Sequence, residues 1–447
     1  MAGDVKKRSP HFVIVGGGLA GALMANYLGK AGFETDVYEM RGDVRAGEIG
    51  GGRSINLALS YRGLCALERV GLKEEVLKQA IPMRGRMIHP LKGALHFQPY
   101  DKDPNQAINS VSRNGLNAIL LEAASHYPTV RLHFHEKCTG VDLDRAAIEL
   151  TNSQTAEHRE ICGDVVVSAD GAFSAVRHAM QKRERFDYSQ SYLAHGYKEL
   201  TIPPGDNGKH RMEVNALHIW PRKSLMMIAL PNADGSYTCT LFWPLEGRDS
   251  FASIRDEHDL TSFFTRQFPD AVPLMPTLVE DYFTNPVGAL VTIRCAPWSA
   301  DDRVVLLGDA AHAVVPFYGQ GMNAAFEDVQ VLDELMRRQE ANRGRAFADF
   351  FALRKPDADA LADLAIDNFV EMRDHTGSRL FWLKKKSEKW LYALFPKWYI
   401  PLYTLVSFTQ TRYSEAVTRA RRQNRVMSLI VVFALILAFL GIGVLLF

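Results

Sequence analysis

"VIVGGGLAG", residues 13–21, is a short branched apolar run that breaks abruptly into glycine. Residues 12–15 predict a buried strand and 19–31 a helix, so the glycines sit at a strand-to-helix turn. Gly16, Gly18 and Gly21 have the spacing G-x-G-x-x-G. The first glycine allows the tight turn and the second lets backbone approach a pyrophosphate. The third lets helix and strand pack closely. The helix N-terminus adds amide donors and a positive dipole end for the phosphates. "ETDVYE" at 34–39 predicts the second strand of a βαβ unit, hence a parallel sheet with a right-handed crossover. Glu39 falls 18 residues after Gly21, where a carboxylate accepts hydrogen bonds from a ribose diol. Leu19, Ala20 and Arg41 flank these positions and are assigned to the same contact set. The turn predicts a dinucleotide and leaves NAD and FAD open.

Further along, "DVVVSAD" (164–170) and "DRVVLLGD" (302–309) read as more buried parallel strands, and residues 115–126 as a helix. Between 190 and 244 the pattern changes. "NALHIWP", "LMMIALPN" and "YTCTLFWP" are aromatic and branched runs punctuated by Pro, Asn and Gly, which predicts an antiparallel sheet. Helical patterns fill 322–340 and 345–425, broken at Pro356, Pro396 and Pro401. The fold class is α/β: a Rossmann-like nucleotide-binding domain with an inserted antiparallel-sheet substrate domain, a C-terminal helical region and one transmembrane helix. The expected bounds are 1–180 with 285–344, then 181–284, 345–425 and 426–447.

Composition excludes several classes. A net charge of +1 on 447 residues offers no field for nucleic acid. Five cysteines without CxxC or zinc spacing favour free thiols in a reducing compartment. No HExxH, carboxylate cluster or His-rich tract suggests a metal. Residues 426–447, "VMSLIVVFALILAFLGIGVLLF", have Ser428 as their one polar side chain. About 20 apolar residues span a bilayer as a helix. Arg419, Arg421, Arg422 and Arg425 precede the run, which predicts a single-pass tail anchor with the rest of the chain on the cytosolic side.

"LLGDAAHAVVPFYGQGMN", residues 306–323, decides between the two dinucleotides. It resembles the second FAD signature of the flavoprotein aromatic hydroxylases, the family of para-hydroxybenzoate hydroxylase. The resemblance implies that Gly308 and Asp309 meet the ribityl chain. Pro316, Gly319, Gln320, Gly321, Met322 and Asn323 would then border the flavin ring. "SADGAFSAVR" (168–177) is similar to the family's Asp-Gly fingerprint, which makes Asp170 a cofactor residue; read by itself it is a strand followed by a helix N-cap. His312 is read as structural rather than as a base. A second G-x-G-x-x-G is lacking, as in this family, whose members take NADPH transiently.

"GRSINLALSYRG", "PMRGRMIHP", "FQPYDK", "FDYSQSYLAHGYKELTIPP" and "YIPLYTLVSFT" resemble, within that family, the branch that hydroxylates kynurenine, over residues 12 to about 420. The branch includes animal members of the outer mitochondrial membrane. The resemblance implies an FAD-dependent monooxygenase that uses NADPH and O2 to convert L-kynurenine to 3-hydroxykynurenine through a flavin C4a-hydroperoxide. It implies that Arg84 and Tyr100 hold the substrate carboxylate, with Tyr403 a further contact. Asn368 and Glu371, three apart and so on one helix face, would lie at the amino-acid head, and Leu57 and Arg113 at the FAD. Arg86 would share a strand face with Arg84. Two other readings stay open: a membrane-associated hydroxylase of the same fold with another substrate, such as a quinone precursor, and a non-catalytic tethered adapter.

Overall fold

The computed structural model describes residues 9–48, 56–339, 342–371, 392, 395 and 398–446, with side chains described up to residue 430. A six-stranded sheet runs in the order Ser299–Ala300, Val304–Leu306, Val165–Ser168, Phe12–Val15, Thr35–Tyr38, Val130–His133. All neighbours are parallel except the first pair. Ile14 lies between Val167 and Val37, which is why this strand is apolar on both faces. Helices Leu19–Lys30, Arg113–Ser125 and Gly321–Arg338 cover it and share one core with it.

The second sheet has seven strands, in the order Gly288–Ala296, Asp187–Ile202, Tyr237–Pro244, Leu225–Pro231, Ala216–Arg222, Gly85–Ile88, His96–Pro99. Only the contact of Gly85–Ile88 with Ala216–Arg222 is parallel. Three of these strands come from outside residues 181–284. Alternation along them separates the two faces. Leu200, Trp220, Leu241 and Trp243 pack with Leu260, Phe263 and Tyr282 of helices Glu257–Gln267 and Leu278–Thr284. The opposite face turns Tyr197, Ile219, Met226 and Phe242 toward Phe317 and Phe369. A three-stranded sheet over Glu136–Cys162, which the sequence pattern did not announce, packs beside the first.

Pro356 does not break its helix, contrary to the sequence reading: Arg343–Val370 runs straight through it. A proline removes one N–H donor and disturbs the carbonyls of the preceding turn. Here the Arg412 guanidinium donates to Leu353 O, and Arg354 and Asp357 on either side are buried in ion pairs. Pro396 lies outside the described residues, and Pro401 caps the helix Leu402–Phe408. The last helix is Tyr413–Leu446; most of the apolar run at 426–447 lies outside the described side chains. Among the described residues no helix is long and apolar enough to cross a membrane.

Candidate active site

The glycine turn has the geometry its spacing requires. Gly16 has φ +99°, and a Cβ there would stand 2.5 Å from Ala169 O. A Cβ at Gly21 would stand 1.9 Å from Gly16 O, so helix and strand touch through bare backbone. At Gly18, the N-cap of the helix, a Cβ would meet nothing within 4 Å, so open space lies over the turn where a pyrophosphate must come close. Glu39 is buried beside the turn, its Oε2 accepting from Gly17 N at 2.8 Å. Its Oε1 accepts from Arg41 N and Nε, at 3.0 and 2.7 Å.

Asp309 opens a one-turn helix after Gly308 and presents its side chain to solvent, although protein surrounds it. That burial raises its pKa, with His312 and Arg113 opposing and Asp328 adding. Arg113 also opposes the rise at Glu199, whose carboxyl burial pushes up to about 7. Arg113 is thus within electrostatic reach of both Asp309 and Glu199. The turn Pro316–Tyr318 ends at Gly319 with φ +66°, a backbone conformation that suits glycine. Gln320 is buried, and its Nε2 has no hydrogen-bond partner among the described residues. An open glycine turn, an enclosed but accessible Asp309 and an unpartnered Gln320 amide fit an extended dinucleotide with a flat ring.

Other predicted cofactor residues hold the frame. Asn323 donates to Ala58 O and Gly319 O, at 2.8 and 3.0 Å, and accepts from Ser60 N at 2.9 Å, which ties the strand bearing Leu57 to the loop. Asp170 accepts from Ser168 Oγ at 2.5 Å and from Ala175 N at 2.7 Å, which ties the strand end to the start of the following helix. Met322 packs against the first core. His312 is buried 2.5 Å from Asp328, whose other oxygen takes Arg354 Nε at 2.6 Å. Burial lowers the His312 pKa, and Asp328 more than offsets it.

The substrate side differs from the sequence reading at one position. Arg84, whose carbonyl accepts from Tyr100 N at 3.0 Å, has an exposed side chain that does not join the Tyr100 and Tyr403 rings. Arg86 does: its guanidinium carbon lies 5.6 Å from the Tyr100 ring centre and 4.8 Å from that of Tyr403. The two rings stack at 5.2 Å, and Tyr318 sits 5.8 Å from Tyr403. Residues 81–83 belong to a small sheet with 56–59 and 108–112, whereas 85–88 belong to the seven-stranded one. Arg84 is thus the joint between two sheets, where period-two alternation does not carry over. Arg86 Nε is buried with no hydrogen-bond partner among the described residues, a donor suited to an anionic ligand. Burial keeps the Tyr100 and Tyr318 phenols protonated and available as donors. Glu371 lies close enough to raise the Tyr318 pKa. Asn368 Nδ2 donates to Phe317 O at 2.6 Å, joining the long helix to the loop. Phe242, Phe317 and Phe369 wall this end, with ring centres 4.9 and 4.4 Å apart. Sequence reasoning passed over Tyr318 and Glu199; strand parity on 187–202 places Glu199 on the face of Tyr197.

The FAD binding domain family matches residues 11–340 of this chain. Solved structures share the fold: 2-methyl-3-hydroxypyridine-5-carboxylic acid oxygenase aligns with a TM-score of 0.67 at 19% identity, covering 83% of this chain and 95% of that one. PqsL of P. aeruginosa aligns with 0.65 at 22%, covering 82% and 97%. Fold and family together define a flavoprotein monooxygenase. Among curated relatives, the kynurenine 3-monooxygenase of Myxococcus xanthus is 51% identical over 406 residues, 91% of this chain and 87% of the relative. That of Sus scrofa is 44% identical over 427 residues, 95% and 89%. The chain belongs to the kynurenine 3-monooxygenase family.

Proposed function

We propose that this enzyme hydroxylates L-kynurenine to 3-hydroxykynurenine, consuming NADPH and O2. The observation that carries the reading is Arg86 between Tyr100 and Tyr403, with Tyr318 of the 316–323 loop beside Tyr403. Kynurenine bears an α-carboxylate remote from an aniline ring. Arg86 would take the carboxylate with charge-assisted hydrogen bonds, and the phenols of Tyr100 and Tyr403 would complete the clamp. Bound FAD supplies activated oxygen and draws its electrons from NADPH. The glycine turn, Glu39, Arg113 and Asp309 would hold it. The aniline nitrogen activates its own ring, so the chain needs no strong base near the reacting carbon. Its tasks are orientation and exclusion of water, for which Phe242, Phe317 and Phe369 are placed. The test is NADPH oxidation by the FAD-loaded protein with and without L-kynurenine, with the product identified by chromatography. Strong stimulation with 3-hydroxykynurenine formed supports the reading. No stimulation of a yellow, folded protein removes the substrate and keeps the fold.

The proposal extends to a single-pass membrane anchor at 426–447, with the catalytic part facing the cytosol and, in a eukaryotic cell, the outer mitochondrial membrane as its site. The apolar run, the four preceding arginines and an unbroken helix backbone over Tyr413–Leu446 support it. Recovery of the protein in the soluble fraction after alkaline extraction of membranes would count against it.

A further inference from the structure

Gln320 lies between the two glycines of the flavin loop, and its amide has one satisfied end. Oε1 accepts from Tyr413 Oη at 3.2 Å and from Ser60 Oγ at 3.3 Å. Nε2 has no partner among the described residues, although Gln320 is only 2% exposed. A phenol donates readily and accepts poorly, and for the fully buried Tyr413 hydroxyl Gln320 is the one hydrogen-bond partner among the described residues. Burial raises the Tyr413 pKa, so the hydroxyl keeps its proton. A donating phenol selects the amide oxygen, which turns the NH2 away from Tyr413 and Ser60.

Tyr413 is itself held in place. The Arg62 guanidinium stacks 4.1 Å from its ring centre and donates to Val406 O at 2.9 Å, to Glu327 at 2.8 Å and to Thr411 O. Arg354 links Glu327 to Asp328 and Asp357, and Asp357 accepts from Arg412 and Ser414, the residues flanking Tyr413. A buried ion cluster therefore sets the start of the C-terminal helix against the flavin loop. Leaving a buried amide NH2 unsatisfied costs about 1–3 kcal/mol, and a ligand acceptor at that point removes the cost.

We infer that Tyr413 is a positioning residue for the cofactor: it orients the Gln320 amide so that its NH2 donates to an acceptor atom of the flavin ring. The inference rests on FAD as the bound group. Tyr413→Phe keeps the ring and its stacking on Arg62 and removes only the donor. The expected result is FAD dissociation constant raised about 3- to 10-fold, the effect of one hydrogen bond, with a displaced absorption band of the bound flavin. In a Gln320→Leu background the same substitution changes the FAD dissociation constant less than about 2-fold, because the group it acts through is gone. Equal effects in both backgrounds overturn the inference, as does an unchanged constant and spectrum in Tyr413→Phe alone. Should Gln320→Leu fail to fold, Ser60→Ala replaces it. Losing both hydroxyls then releases the amide and weakens FAD by more than the two single effects combined, and simple additivity overturns the inference. A colourless wild type that takes up no added FAD overturns the flavin reading as well. A yellow wild type with an unresponsive Tyr413→Phe overturns this inference alone.

Discussion

Gly16, Gly18 and Gly21 lie within six residues of chain, whereas Arg86, Tyr100, Tyr318 and Tyr403 come from four segments spread over more than 300. The glycine turn works through backbone: a positive φ at Gly16 and a helix–strand contact at Gly21 too close for any side chain. These demands are local, so they are written locally. The substrate clamp works through side chains carried by one pair of neighbouring strands, a loop and a late helix. Its members mean little until these elements are packed together.

The largest effect to expect is on the glycine side. Gly21→Ala puts a methyl 1.9 Å from Gly16 O, where only backbone could yield, and should cost about 3 kcal/mol or more. The protein should purify largely free of flavin, judged by its ratio of visible to ultraviolet absorbance, with a lowered melting temperature. Full yellow colour would mean that the turn is not shared in this way.

The comparison sharpens at the two arginines. Arg86→Met should weaken L-kynurenine binding about 100-fold, the loss of a charge-assisted contact, and leave FAD content unchanged. Arg84→Met should shift it less than about 3-fold. The sequence reading expects the reverse order, so titrating both variants decides between a pattern match and a packed geometry.

Tyr403→Phe keeps the stack with Tyr100 and removes one hydroxyl, for which about a 3- to 10-fold loss in kynurenine affinity is expected. A normal dissociation constant would reduce Tyr403 to a wall of the clamp.

The smallest effect concerns pH. The Glu199 carboxyl titrates near 7 in the folded protein, against an ordinary value of 4.5. Between those values the unfolded chain has released its proton and the folded one has not, so stability falls as pH rises through the window. With Arg113 and solvent moderating the burial, the loss should be about 1 kcal/mol. Melting curves of wild type and Glu199→Gln from pH 4.5 to 7.5 should converge at low pH and separate at high pH. Parallel curves would show that burial does not raise the Glu199 pKa.

Legibility followed the same division. The strand at 12–15, the turn, the helix after it and the buried strands at 165–168 and 304–306 could all be read from chain pattern. The loop at 316–323 was assigned to the flavin by resemblance, and its turn at Gly319 has the positive φ that suits glycine. Pro356 misled because a proline breaks a helix only when nothing compensates, and Arg412, 56 residues on, is invisible in a local window. The sheet hairpins of 136–162 carry charged faces and turn toward solvent, which blurs alternation.

Amino-acid sequence by itself determined the dinucleotide turn and the parallel sheet around it, because these rest on backbone conformations and apolar periods that a few consecutive residues impose. The family was legible through the resemblance of longer segments. Which arginine meets the two tyrosines, and which hydroxyl holds Gln320, only the tertiary structure decided. Side-chain direction at a joint between two sheets depends on how the sheets meet. That angle is set by the packing of several cores rather than by any short stretch of chain.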